Sequence, residues 1–126
     1  QVLLKKGPIP IINENDTISI EELRFGDNDI LSAQVAGLVH ADLLIILTDT
    51  DGLYTADPRK DPQAKRIEVV ERITPEIESI AGNVGSSVGV GGMQTKIKAA
   101  KLASLAGVPV FICNAQEDGI LDQALS

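Results

Sequence analysis

Five consecutive aliphatic residues, Leu43-Leu44-Ile45-Ile46-Leu47, run into Thr48 and constrain this chain more than any other stretch. Side chains of a strand alternate between its two faces, so a run that is apolar at every position has to be covered on both. That is how a strand of a parallel sheet flanked by helices reads, and the segments around it agree. A helix is expected from about Ile30 to His40, with Leu31, Val35, Leu38 and Val39 at helical spacing. Another is expected from about Gln94 to Ala106, ended by Gly107, then a strand over Val108 to Cys113 and a final helix over Gly119 to Leu125. Thr74-Pro75-Glu76 opens a short helix: Thr caps it, Pro sits in the first turn, and an acid lies beside the positive end of the dipole. Gln1 to Lys6 reads as the end of a helix stopped by Gly7. Ile9-Pro10-Ile11-Ile12 reads as a short buried strand, with Pro10 arguing against a central position. Tyr54 to Arg66, with its Asp57-Pro58 and Asp61-Pro62 steps, is a long ordered loop. Strand and helix alternating in this order define an α/β fold with a parallel sheet.

Ligands of open α/β sheets bind outside the carboxyl ends of the strands. Each expected strand here ends in polar residues: Asn13, Asp49 and Asn114. The bulk charge narrows what could bind. Eleven basic residues against eighteen acidic ones leave a net charge of −7, the opposite of what a nucleic-acid groove needs. A phosphate ligand must then be small and held by a local cluster of positive groups. No apolar run approaches the roughly 20 residues that span a bilayer. Cys113 is the one cysteine, so neither an internal disulfide nor a multi-cysteine metal site is expected, and a reducing cytoplasm fits. The first residues are too short for a signal peptide and lack a starting Met, so the chain reads as a piece of something longer.

The stretch Gly85-Ser86-Ser87-Val88-Gly89-Val90-Gly91-Gly92-Met93-Gln94-Thr95-Lys96 places four glycines just ahead of a helix. Glycine lets backbone N–H groups converge and a ligand approach, and a helix start adds unpaired donors and partial positive charge. The spacing is neither a P-loop nor a dinucleotide fingerprint, and a glycine-rich turn alone is often only a turn. Lys96 changes that reading. A cation in the first helical turn is disfavoured by a few tenths to about 1 kcal/mol, and a bound anion would reverse the penalty. Lys98 follows close behind.

Asn13-Glu14-Asn15-Asp16 and Asp27-Asn28-Asp29 combine donors and acceptors that could grip a zwitterion, although such clusters also build turns and caps. Asp49-Thr50-Asp51-Gly52 lacks the ligand spacing of a calcium loop. His40 and Cys113 lack catalytic partners in the sequence. A carboxylate acceptor, with a pKa of about 4, is already ionised at neutral pH and would need no general base.

Pro10-Ile11-Ile12-Asn13-Glu14-Asn15-Asp16, Phe25-Gly26-Asp27-Asn28-Asp29, Leu47-Thr48-Asp49, Gly52-Leu53-Tyr54-Thr55-Ala56-Asp57-Pro58 and Gly91-Gly92-Met93-Gln94-Thr95-Lys96 occur here in that order. In this order they resemble the amino-acid kinase family. The Asp-Gly-Leu-Tyr run is shared with uridylate kinases and aspartokinases, whereas the Asn-Glu-Asn-Asp and Gly-Asp-Asn-Asp runs resemble the branch that acts on glutamate. The resemblance implies a three-layer α/β sandwich with a mainly parallel sheet. Residues 1–126 would form part of one kinase domain, with a glutamate-binding segment at about 8–40 and a nucleotide-binding segment at about 43–126. It implies transfer of the ATP γ-phosphate, with Mg²⁺, to the side-chain carboxylate of glutamate, the first step toward proline. It also implies proline as a feedback inhibitor, a homo-oligomer and a cytoplasmic location, with neither nucleic acid nor membrane as partner. Lys96 and Asp29 would carry the chemistry, Asp29 orienting the lysine. Asp16, Asn28, Asn13 and Asp27 would hold glutamate. Thr48 and Asp49 would touch the nucleotide, and Val90, Gly91, Gly92, Met93, Gln94, Thr95 and Lys96 would wrap its phosphates. No residue is assigned as a metal ligand. Two departures stand out. Val90 occupies a place where the family pattern has Thr, and the family's first strand, phosphate loop and second lysine have no counterpart here. The stretch by itself is therefore expected to be inactive, one wall of a site. A sister kinase with another acceptor and a non-catalytic nucleotide-binding fragment are the alternatives.

Overall fold

The computed structural model describes residues 2–13, 28–83 and 92–126. Their elements are α1 (Val2–Lys5), α2 (Asn28–Leu38), β1 (Leu44–Thr48), α3 (Pro75–Asn83), α4 (Met93–Leu105), β2 (Val110–Asn114) and α5 (Ile120–Leu125). The expected α/β class is what forms. β1 and β2 pair in parallel, in a register that runs from Leu44 beside Val110 to Thr48 beside Asn114. Among the described residues the sheet has these two strands. Leu44, Ile46, Val110 and Ile112 share the face that packs against α2 and α4. On the opposite face Leu47 and Phe111 keep 50% and 37% of their surface exposed.

The α2–α4 contact is built from small residues. Ala33 and Ala36 of α2 meet Ala99 and Ala103 of α4 over Ile46 and Val108, all of them buried. A methyl group added at Gly37 would lie 3.2 Å from the Ala106 side chain. Asp29 touches Thr95 and Lys96 at the other end of the seam, so the two helices lie side by side and parallel. Leu31, Val35, Leu38 and Val39, whose helical spacing marked α2 in the sequence, are not what fills this seam. Leu38 is exposed and the other three are half-buried, because close approach of two helices selects alanine over bulk. A second apolar cluster joins Leu53, Ala81, Met93 and Ile97 between α3, α4 and the loop that follows β1.

Both long helices end in the same motif. At the end of α4, Val108 N–H donates to Ala103 O and Gly107 N–H to Ser104 O, each at 3.0 Å, with Gly107 at φ 78°. At the end of α2, Ala41 N–H donates to Ala36 O at 2.9 Å and His40 N–H to Gly37 O at 3.3 Å. There His40 takes the left-handed position at φ 53°. The helix expected through His40 therefore stops at Leu38, and the strand expected from Val108 starts at Val110, since Val108 belongs to the cap. α3 opens as expected, with Ile77 N–H donating to Thr74 Oγ1 at 3.4 Å. Hydrogen bonds from its own N–H and from Thr74 hold the Glu76 carboxyl below its ordinary range.

The strand expected at Ile9-Pro10-Ile11-Ile12 does not form. These residues are irregular, with Ile9 89% and Ile11 97% exposed. Pro10 offers no N–H, and no described strand pairs with the segment. The loop from Tyr54 to Arg66 is ordered as expected, closed by an antiparallel bridge between those two residues and by Ile67 N–H donating to Leu53 O at 2.7 Å. Its buried Asp57 accepts from Arg59 N at 2.9 Å and from the Arg59 guanidinium at 3.1 Å.

Candidate functional site

The parallel packing of α2 on α4 brings two helix starts together. Lys96 stands in the first turn of α4 and is 8% exposed, so it is no solvated surface lysine. Its Nζ lies 3.0 Å from Asp29 Oδ2, in the first turn of α2. Asp29 thus reaches across to α4 and meets the lysine that it is expected to orient. Its backbone carbonyl accepts from Ser32 Oγ at 2.6 Å. Thr95 Oγ1 lies 3.2 Å from the same Oδ2 and 2.7 Å from Gly92 O.

The start of α4 has the donor character that an anion needs. Gly92 stands at its N-cap without a side-chain hydrogen bond, and no acid occupies the first turn. The first N–H groups of a helix have no partner within it. Among the described residues, a methyl group added at Gly92 would meet nothing within 4 Å. Met93 is buried in the second apolar cluster, so it can offer a ligand its backbone but not its side chain. Gln94 is exposed and lies beside Gly82 of α3.

Thr48 and Asp49 stand at the carboxyl end of β1, next to Asn114 at the end of β2. Thr48 Oγ1 donates to Asp49 Oδ1 at 3.3 Å. Asn114 Oδ1 accepts from Gln116 N–H at 2.9 Å, which closes the turn after β2. Asn28 begins α2 with its side chain exposed beside Asp29, and Asn13 is exposed at the end of the irregular segment. Asp16, Asp27, Val90 and Gly91 lie outside the described residues.

Sequence reasoning did not single out the hydroxyl of Thr95 as a neighbour of Asp29. A Thr immediately before the misplaced lysine was the available signal. It also passed over Tyr54, whose hydroxyl donates to Asp51 with its two carboxylate oxygens at 2.9 and 2.8 Å, a bond that holds the phenol above its ordinary pKa. Asp51 borders a cleft of about 890 Å³ that runs beside β2 between Arg66, Lys101, Phe111 and Glu117. None of the predicted site residues lines it. Among the described residues no group of three or more His, Cys, Asp or Glu side chains could hold a metal, and no helix is long and apolar enough to cross a membrane.

Residues 1–114 match the amino acid kinase family. Proteins named glutamate 5-kinase are similar along nearly the whole chain. That of Streptococcus sanguinis (strain SK36) is 60% identical over 98% of the chain, and that of Streptococcus suis (strain 05ZYH33) is 58% identical over all of it. That of Streptococcus pneumoniae (strain 70585) is 59% identical over 98%. The chain spans 34% to 35% of the length of these relatives. With the match covering most of its residues and the lysine-bearing helix start in place, the chain belongs to the amino acid kinase family.

Proposed function

We propose that this chain forms part of an ATP-dependent kinase that phosphorylates the side-chain carboxylate of glutamate to glutamyl 5-phosphate, the first step of proline biosynthesis. The observation that carries the reading is the Lys96–Asp29 pair at 3.0 Å, at a helix start whose N-cap, Gly92, makes no side-chain hydrogen bond and whose first turn holds no acid. The relatives at about 60% identity supply the acceptor, since their name contains it.

The residues fit a nucleotide phosphate. The first N–H groups of α4 and the Lys96 ammonium form a compact positive set, while Thr48 and Asp49 mark the sheet edge where the rest of the nucleotide would lie. Asp16, Asn28, Asn13 and Asp27 are proposed for glutamate, and Val90 to Lys96 for the phosphates. Mg²⁺ would neutralise phosphate charge and be held chiefly by the phosphates themselves, as is usual for this ion. The acceptor carboxylate is ionised at neutral pH, so this chain need not remove a proton. Its task is to align the two reactants and to offset charge on the phosphoryl group as it moves, which is where most of the rate gain in such transfers arises. Lys96 does the second, and Asp29 fixes where its ammonium stands. We place the protein in the cytoplasm as a homo-oligomer, with proline as feedback inhibitor.

The test is Lys96→Met in the intact protein that carries this chain. Glutamate-dependent ADP release should fall by at least 10³-fold, on the order of 4 kcal/mol in the transition state, with the thermal unfolding midpoint nearly kept. Unchanged ADP release would refute the reading.

A further inference from the structure

We draw no further inference here: the strongest candidate, the cleft beside β2 lined by Arg66, Ile67, Lys101 and Phe111, carries nothing because nothing in the structure shows what covers it.

Discussion

Ala103 lies seven residues beyond Lys96 on α4, about 10 Å away at 1.5 Å per residue, and touches no predicted site residue except through the helix itself. Replacing it with Leu adds three carbons at a position with 0% exposure. Were there room, their transfer from water would stabilise the chain by about 2.4 kcal/mol, at roughly 0.8 per carbon. There is none. Ala33, Ala36, Ala99 and Val108 close around the site, and the neighbouring Gly37 and Ala106 already lack space for one methyl group at ordinary contact distance. Overpacking of this kind costs about 1–3 kcal/mol net, which for a cooperative unit of 126 residues lowers the unfolding midpoint by roughly 4–11 °C. The helices relieve the clash by moving apart. A separation of about 1 Å at the seam would stretch the Asp29–Lys96 contact beyond hydrogen-bonding reach, and a misplacement of that size costs on the order of 10²-fold in rate. Calorimetry and turnover of the intact protein measure the two effects together, with Ala103→Ser as the control of similar volume. If Ala103→Leu left both the midpoint and turnover unchanged, the alanine seam would not be what sets the spacing of the helices.

The loop carboxylate Asp57 supplies a pH-dependent prediction. Hydrogen bonds from the Arg59 side chain, and next from its backbone N–H, hold Asp57 below the ordinary carboxylate range. A depressed folded-state pKa means that the stabilisation is complete above the unfolded value near 3.8 and is lost as pH falls through the lower, folded one. The Arg59 amide resonance should therefore stay constant from pH 7 to pH 5 and move below pH 3.8; a midpoint at or above the ordinary value would contradict the contact. The two helix ends predict opposite signs for one kind of change. His40→Gly should stabilise by about 0.5–1 kcal/mol and Gly107→Ala should destabilise by about 1–2 kcal/mol, because both positions require left-handed backbone. Urea unfolding measures both, and shifts of the same sign would refute the account.

Leu43 to Leu47 and Ile9 to Ile12 look alike in composition, yet only the first contributes a strand among the described residues. The difference is long-range: β1 finds β2 more than sixty residues later, and a strand without a partner gains nothing from its β-branched residues. The alanine seam escaped periodicity for a related reason. Hydrophobic patterning finds the large residues of a helix, while the residues that let two helices approach are small and near-neutral in any such pattern. Lys96 was legible because it breaks a local rule. That Asp29 lies against it could come only from the packing of α2 on α4, or from the resemblance to a family. Thr95 broke no rule, since a threonine in a first turn is ordinary, and so its hydroxyl escaped notice.

The charge of the site then follows from the helices more than from the side chains. Lys96 and Asp29 cancel to first order, which by itself would leave a neutral pair in a chain of net charge −7. But both stand at helix starts that the parallel packing has brought together, and each start carries roughly +0.5 of an elementary charge from its aligned peptides. Two such ends beside a cancelled ion pair leave a local excess of about one positive charge. Asp29 does more here than hold the lysine. It makes two like-charged helix ends tolerable neighbours. On the function proposed above, a chain of net charge −7 would attract a small polyanion at this point while its overall charge disfavours extended ones.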